Sequence, residues 1–372
     1  MDNKRILIVS RSFYPQNSPR AHRTTELSAE FARQGHEVKV LTPKNSEIHS
    51  DFELKHNLII GDLGKLRWKS PDFGKTRVGH LLTRSIFRLL SLGFEYPDIE
   101  LMFKVAKKLK NEKDYDILIS IAVPYPIHWG VAKRWKKNQQ IAKVWIADCG
   151  DPYMGCDTDS FRKWWYFKYV EKWFMRKTDF ITIPVESARR SYYEEFHSKI
   201  KVIPQGFKIH PIAVSKKQRN DVLSFAYVGG FIKGIRDPRA FLNFLIQINK
   251  KFIFYIFTNN KEIIDGFEQT LADKLKVMSY IPRTELLTFL SKMDFVVNFD
   301  NNTETAVPSK LIDYKIVNKP ILNITNKLNT KVIEEFLDRN YSNQMVIKNI
   351  DQYRIENVTA QFLALAENKF TT

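Results

Sequence analysis

The chain opens on a run that narrows the choice of architecture at once. Ile6-Leu7-Ile8-Val9 places four apolar residues in a row with no alternation. That pattern suits a strand covered on both faces, as in a parallel sheet. Similar runs return at Val38-Lys39-Val40-Leu41, Ile117-Leu118-Ile119-Ser120, Val144-Trp145-Ile146-Ala147, Phe180-Ile181-Thr182-Ile183 and Lys201-Val202-Ile203. Helical spacing fills the intervals: residues from about 21 to 34, closed by Gly35, a stretch reaching Lys137, a long aromatic helix before Phe180, and another before Lys201. Strands alternating with helices predict an open parallel α/β sheet. A second series follows the polar stretch 215–221, with strands predicted over 223–228, 252–257, 275–279, 295–298 and 321–322. At 372 residues the chain exceeds what one core usually serves. The expected organisation is a domain over 1–207, a linker near 206–221, a second domain over 221–350, and a C-terminal helix in 351–372 packing back on the first. Two such domains put a cleft between the carboxyl edges of their sheets, where these folds bind ligands.

Charge says what kind of ligand. Lys and Arg number 59 against 41 acidic residues, a net +18. Residues 1–210 carry 37 basic and 24 acidic residues, a net +13; the remainder carries 22 and 17, a net +5. An anionic partner follows: phosphates, a membrane surface or a nucleic acid. The basic residues are dispersed and no RNA or DNA module is present, so a nucleic-acid partner is not expected. Apolar residues at 44% and charged residues at 27% exclude disorder and fibrous repeats. Only Cys149 and Cys156 are present, and neither a signal peptide nor a long apolar span is seen. A cytoplasmic location is therefore expected. Arg77, Arg84 and Arg88 share one face of an amphipathic run over 78–90, and 161–177 holds eight aromatics among six basic residues. Basic, aromatic helices lie in anionic interfaces, so peripheral contact with the inner face of the membrane is expected, first through 75–92. The second stretch also reads as a helix packed on the sheet.

Three loops carry the chemistry. Ser12-Phe13-Tyr14-Pro15-Gln16-Asn17-Ser18-Pro19-Arg20 lacks the G-x-G-x-x-G of dinucleotide sites. Arg20 and Arg23 at the following helix start would hold an anion or simply be solvated. Phe225 to Pro238 opens a strand into Gly229-Gly230, then Lys233 and Arg236 before a helix. Glycines let a phosphate approach the backbone and the cations offset its charge. Thr303 to Tyr314 places Pro308 at a helix start, so that Ser309 and Lys310 amides face a phosphate and Asp313 faces sugar hydroxyls. Capping by Ser309 and solvation of Lys310 are the plain alternatives. After 144–147, Asp151 and then Asp148 are the candidates to orient or deprotonate an acceptor hydroxyl, or else to cap the next helix. His128, one turn into a helix, reads first as structural and second as an acceptor contact. Asp157-Thr158-Asp159 lies outside any expected strand end, and no His/Cys cluster has ligand spacing, so no metal is expected.

Taken in order, these segments resemble a known family. Val228-Gly229-Gly230 with Lys233, Tyr280-Ile281-Pro282-Arg283, Pro308-Ser309-Lys310-Leu311-Ile312-Asp313-Tyr314 and Asn318-Lys319-Pro320-Ile321-Leu322 are similar to the donor half of GT-B glycosyltransferases. The first half agrees, with Phe13-Tyr14-Pro15, Glu26-Leu27, Gly35-His36-Glu37-Val38 and Val202-Ile203-Pro204-Gln205-Gly206. More narrowly, the chain resembles the retaining, metal-independent enzymes that build bacterial surface polysaccharides. The resemblance implies two Rossmann-like domains facing a cleft, a nucleotide-diphosphate sugar as donor, and a lipid-linked or saccharide acceptor. It further implies that Gly229, Gly230, Lys233, Arg236, Ser309, Lys310 and Leu311 hold the diphosphate. Asp313, Tyr280, Ile281 and Arg283 would contact ribose and base; Tyr14, Ser18, Arg20, Arg23 and His128 would lie on the acceptor side. Asp313 matches the second acid of the family's Glu-x7-Glu motif, while the first falls on Thr305, beside Glu304. Gly230 stands where many relatives carry Arg, and Gly150 where they often carry His or Arg. The competing readings are a nucleotide-sugar epimerase on the same fold and a non-enzymatic polyanion binder.

Overall fold

A computed structural model describes residues 3–68, 77–136, 141–155, 162–208, 220–300, 309–347 and 350–368. The chain divides into two compact units, one of residues 1–208 with 352–372 and one of residues 209–351. Cys156, Asp157–Asp159, the linker residues 209–219, and Thr303, Glu304, Thr305 and Pro308 lie outside the described residues.

The first unit holds seven strands: β1 (Arg5–Ser10), β2 (Glu37–Thr42), β3 (Ile59–Asp62), β4 (Tyr115–Ala122), β5 (Ala142–Cys149), β6 (Phe180–Ile183) and β7 (Ile200–Val202). They form one parallel sheet in the order β3-β2-β1-β4-β5-β6-β7. The non-alternating apolar runs are explained by what covers the sheet. Ile6, Ile8, Ile117 and Ile119 pack on one face with Leu27 and Phe31 of α1 (Pro19–Arg33). Leu7, Val9 and Leu118 pack on the other with residues of α4 (Glu100–Lys108), α5 (Pro126–Arg134) and α6 (Phe167–Lys177). Between β2 and β4 the chain also forms α2 (Ser46–His56), β3 and α3 (Arg77–Phe94), elements the sequence reading left unassigned apart from the amphipathic run. The helix expected before β7 is instead two 3-10 segments, Glu186–Ser191 and Glu194–Lys199.

The second unit has five strands: β8 (Leu223–Val228), β9 (Phe252–Phe257), β10 (Leu275–Met278), β11 (Phe295–Phe299) and β12 (Ile321–Ile324). They too are all parallel, in the order β10-β9-β8-β11-β12. Phe225 lies at the centre of the sheet, its ring 4.5 Å from Phe295 and 4.8 Å from Phe254. That face is covered by α7 (Arg239–Gln247), α8 (Phe267–Leu271) and α11 (Thr330–Leu337). Ala226, Val296 and Phe257 face α9 (Arg283–Leu290) and α10 (Ser309–Ile316). The chain then returns to the first unit as α12 (Ile355–Asn368), which lays Ile355, Val358 and Phe362 against the same core as α1.

In each unit the strand order reverses direction once, beside β1 in the first and beside β8 in the second. Such a reversal opens a crevice at the carboxyl ends of the strands, because the connections leave towards opposite faces. The loops after β1 and β8 leave the sheets at these reversals.

Candidate functional site

The loop after β8 turns on a pair of glycines. Gly229 has φ +140, a region other residues rarely adopt, and its N–H donates to Phe257 O at 3.0 Å. A Cβ there would also stand 3.0 Å from the Tyr227 hydroxyl. That hydroxyl donates to Gly230 O at 3.0 Å, and the Tyr227 ring stacks on Phe231 at 4.8 Å. Below the loop, Tyr314 of α10 accepts from Val228 N and donates to Val297 O, each at 3.0 Å, tying β8 to β11. Two tyrosines thus hold the glycines in place. Sequence reasoning missed Tyr227; a polar-tipped aromatic at the last buried position before a glycine pair was the available signal.

Two cations converge here. Lys310 is almost fully buried, its Nζ 4.7 Å from the Tyr227 ring centre and 3.5 Å from Phe299 O. Burial, with the nearby Arg236 charge, pushes its ammonium down to about 7. Arg236 closes a tight hairpin, Ile232 N donating to Arg236 O and Arg236 N to Ile232 O. Its Nε is buried and, among the described residues, has no hydrogen-bond partner. Asp237 fixes this hairpin to α7: it accepts from Gly234 N and from Arg239, whose guanidinium holds the carboxyl near 2. A buried guanidinium nitrogen without an acceptor beside a desolvated ammonium is an arrangement that an oxyanion completes. Lys233 stands apart, exposed on the hairpin tip. Leu311 turns its side chain into the core, which leaves only its backbone for a ligand. Ser309 begins α10.

Asp313 and Arg283 meet each other. Arg283 donates from Nε at 2.9 Å and from Nη2 at 2.7 Å to Asp313 Oδ1. Burial raises the Asp313 carboxyl and the Arg283 charge opposes that rise. Both bonds fall on Oδ1 and neither on Oδ2. Ile281 packs half-buried against the core, and Tyr280 is exposed beside it.

In the first unit the acceptor-side residues divide into exposed and buried groups. Tyr14 is exposed, and its carbonyl accepts from His49 Nε2 at 2.7 Å. Ser18 caps α1, accepting from Ala21 N at 3.2 Å. Asp151 is exposed just beyond β5, while its carbonyl accepts from Tyr125 at 2.7 Å. The Arg20 guanidinium lies over Gly150, inside the space that any Cβ there would occupy. Three catalytic or acceptor-side placements are corrected here, the last, for His128, in favour of the structural reading placed first. Asp148 is no proton acceptor: it is buried, binds Arg23 through both oxygens at 2.8 and 3.1 Å, accepts from Thr182 at 2.7 Å, and Arg23, with Arg20 nearby, holds its carboxyl below the usual range. Arg23 is equally buried and spends its remaining donors on Pro204 O and Ile203 O, so it braces the fold and does not face an acceptor. His128 is fully buried between Ser120 Oγ at 2.8 Å and Cys149 Sγ at 3.5 Å, and burial pushes its imidazole down to about 3. It is a neutral core residue.

The sequence profile of glycosyltransferase family 4 matches residues 21–210, just over half of the chain. The chain belongs to glycosyltransferase family 4. The match runs through the first unit, so the donor-type loops of the second unit stand on geometry. Solved structures agree on the fold of the glycosyltransferase. TarM is similar over 98% of each chain with a TM-score of 0.62 and 10% identity. HepE of Anabaena, in complex with UDP and glucose, is similar over 98% of this chain and 100% of its own, with a TM-score of 0.60 and 10% identity. The lipopolysaccharide outer core galactosyltransferase WaaB in its apo form covers 98% and 99%, with a TM-score of 0.58 and 10% identity. The architecture is thus GT-B. No curated protein matches the sequence.

Proposed function

We propose that this glycosyltransferase moves a sugar, with retention of anomeric configuration and without a metal, from a nucleoside-diphosphate sugar to a lipid-linked or saccharide acceptor. The setting is the assembly of a surface polysaccharide (capsule, O-antigen or exopolysaccharide) at the cytoplasmic face of the membrane. The observation that carries the reading is the buried Arg236 Nε, without a hydrogen-bond partner among the described residues, near Lys310 and the glycine pair. Transfer builds negative charge on the departing diphosphate, and fixed cations and amide dipoles in a dry pocket are the strongest stabilisation a protein offers it. Arg236 and Lys310 supply that charge themselves. Asp313, steadied by Arg283, takes a ribose hydroxyl, Tyr280 and Ile281 lie against the base, and Asp151 is the exposed carboxylate left to orient the acceptor. The UDP in the HepE complex, and in a TarM complex with UDP at 12% identity and a TM-score of 0.53, supports a nucleoside-diphosphate donor. The polysaccharide setting is supported by WaaB, which acts on the lipopolysaccharide outer core.

The test is a thermal-shift screen against UDP-, GDP-, ADP-, dTDP- and CMP-sugars, since a ligand that binds only the folded state raises its melting point. One nucleoside-diphosphate sugar is expected to stabilise the wild type, and Arg236→Gln to abolish the shift. Release of free nucleoside diphosphate only when an acceptor is supplied, insensitive to chelator, would establish the transferase. Turnover of the donor without acceptor into a second nucleotide sugar would establish the epimerase instead. The anomeric configuration of the product, read by NMR, decides retention.

A further inference from the structure

We infer that α3 and the segment 163–169 form a single docking face that seats the first unit on an anionic lipid surface. α3 carries seven Leu, Ile or Phe residues between 81 and 92, yet no side chain over 80–91 is buried. Leu81, Leu82, Leu89 and Phe94 are between 49% and 59% exposed, and Trp165 and Tyr169 are 69% and 57% exposed. Two segments far apart in sequence make one patch because Trp164 bridges them. Its indole lies on Gly93, where a Cβ would stand 3.1 Å from the ring; the Trp164 backbone N–H donates to Leu92 O at 3.3 Å; and Phe94 packs on the ring at 5.8 Å. Lys163 adds a bond to Ser91 O at 3.1 Å and an ion pair with Glu95.

Charge chooses the occupant. Neither 77–94 nor 162–170 contains an Asp or Glu, although the chain has 41 of them. Arg77, Arg84, Arg88, Arg162, Lys163 and Lys168 fall in these two segments. The neighbouring acids are withdrawn: Glu95 is buried against Tyr153 and Lys163, and Glu171 is buried and accepts from Tyr193. By spacing, Arg77, Arg84 and Arg88 fall on one stripe of α3 that Leu81 shares, while Leu82, Ile86, Leu89 and Leu90 lie on the opposite side. Leucine and tryptophan beside arginine and lysine, with no acid among them, match an interface of acyl chains below anionic headgroups. A second copy of the chain would set like charges against each other on this face.

The full chain is sedimented with vesicles of phosphatidylcholine alone and of phosphatidylcholine with phosphatidylglycerol. Binding to the second, weakened by added salt, is expected. Leu82→Glu with Leu89→Glu, and separately Trp165→Ser, should lower the bound fraction at least tenfold while donor affinity and melting temperature stay unchanged. Lys251→Gln with Lys261→Gln makes the same change in net charge on exposed positions of the second unit and should bind as wild type. Absence of binding to phosphatidylglycerol vesicles at low salt overturns the inference. So does an equal loss in the Lys251→Gln, Lys261→Gln control, which would reduce the effect to net charge. Light scattering that shows Leu82→Glu with Leu89→Glu turning a dimer into a monomer overturns it too, by assigning the face to a second copy. Because donor binding is measured in every variant, failure here leaves the glycosyltransferase reading standing, and failure of that reading leaves this one standing.

Discussion

Burial sets the protonation of Lys310, and that gives the site a pH response of definite sign. In the free protein its ammonium titrates near 7, because desolvation and Arg236 both oppose the charge. A bound diphosphate favours the charged form and raises that value. Donor affinity should therefore fall as pH rises from 6 to 8, and binding at pH 8 should take up protons from solution. Calorimetry in buffers of different ionisation enthalpy measures that uptake directly, and Lys310→Met should abolish it while weakening the donor by about ten- to a hundredfold, the range of a charged hydrogen bond. A pH-independent affinity in the wild type would show that Lys310 does not face the donor. Tyr227 acts one layer below. Tyr227→Phe removes the donor that holds Gly230 O and is expected to cost about 1 kcal/mol of donor binding. Isothermal titration at pH 7 reads this as roughly a fivefold weaker Kd. The glycine pair and Arg236 were legible in the sequence because strand-end glycines and cations have few other uses together. Lys233 was equally conspicuous, yet a hairpin turn with Gly234 at φ +78 carries it to the tip. Lys233 and Arg236, three and six positions after the glycine pair, look alike in sequence; only the turn separates their fates.

At the scale of elements, the Arg23–Asp148 pair locks the first turn of α1 onto the ends of β5 and β6. Asp148 accepts from two of the three guanidinium nitrogens and from Thr182, and Arg23 reaches past it to Pro204 O at 2.5 Å and to Ile203 O. Removing one partner of a buried pair strands the other charge, so Asp148→Asn should destabilise the first unit by about 3–5 kcal/mol. Denaturant melts followed by the first unit's tryptophans would measure it, and a loss under 1 kcal/mol would return Asp148 to the list of catalytic candidates. The folded carboxyl lies below its unfolded value, so the tie is complete above the ordinary carboxylate range near 4 and is lost only as pH falls through the depressed value. Mild acid should leave it intact. This lock was invisible in sequence: Arg23 and Asp148 are 125 positions apart, and each read more naturally as a group facing ligand. The strands tell the opposite story. β8 and β9 were legible to the residue because sheets covered on both faces demand unbroken apolar runs. β3 was not, for it is a four-residue edge strand with Ile59 half exposed and Gly61 in the middle.

On the scale of the molecule, the first unit is discontinuous: the chain leaves it at 208 and re-enters at 352. The exit and the return are stitched side by side, Phe207 N donating to Tyr353 O at 2.8 Å and Ile355 N to Phe207 O at 3.1 Å. From that stitch α12 runs across α1. Ile355, Val358, Phe362, Leu363 and Leu365 are all buried. Thr359 accepts from Gln34 at 2.8 Å, and the Arg23 guanidinium lies 5.2 Å from the Phe362 ring. Each large apolar side chain contributes about 1.5–3 kcal/mol on burial, an upper estimate against an extended chain. Five of them together approach the about 5–15 kcal/mol that holds an ordinary domain folded. Residues 355–366 are thus part of the first unit's core, although the second unit lies before them in the chain. A chain ending at residue 351 should keep the second unit, whose two apolar clusters lie within residues 223–347, and should lose cooperative folding of the first. Hydrogen exchange resolves the two. Amides of β8 and β11 should stay protected in the truncated chain, while those of α1 and β1 exchange freely. A synthetic peptide of residues 352–372 added in trans should restore their protection. Full protection of α1 without that peptide would mean that α12 is a surface attachment and that Arg23 needs no support from Phe362.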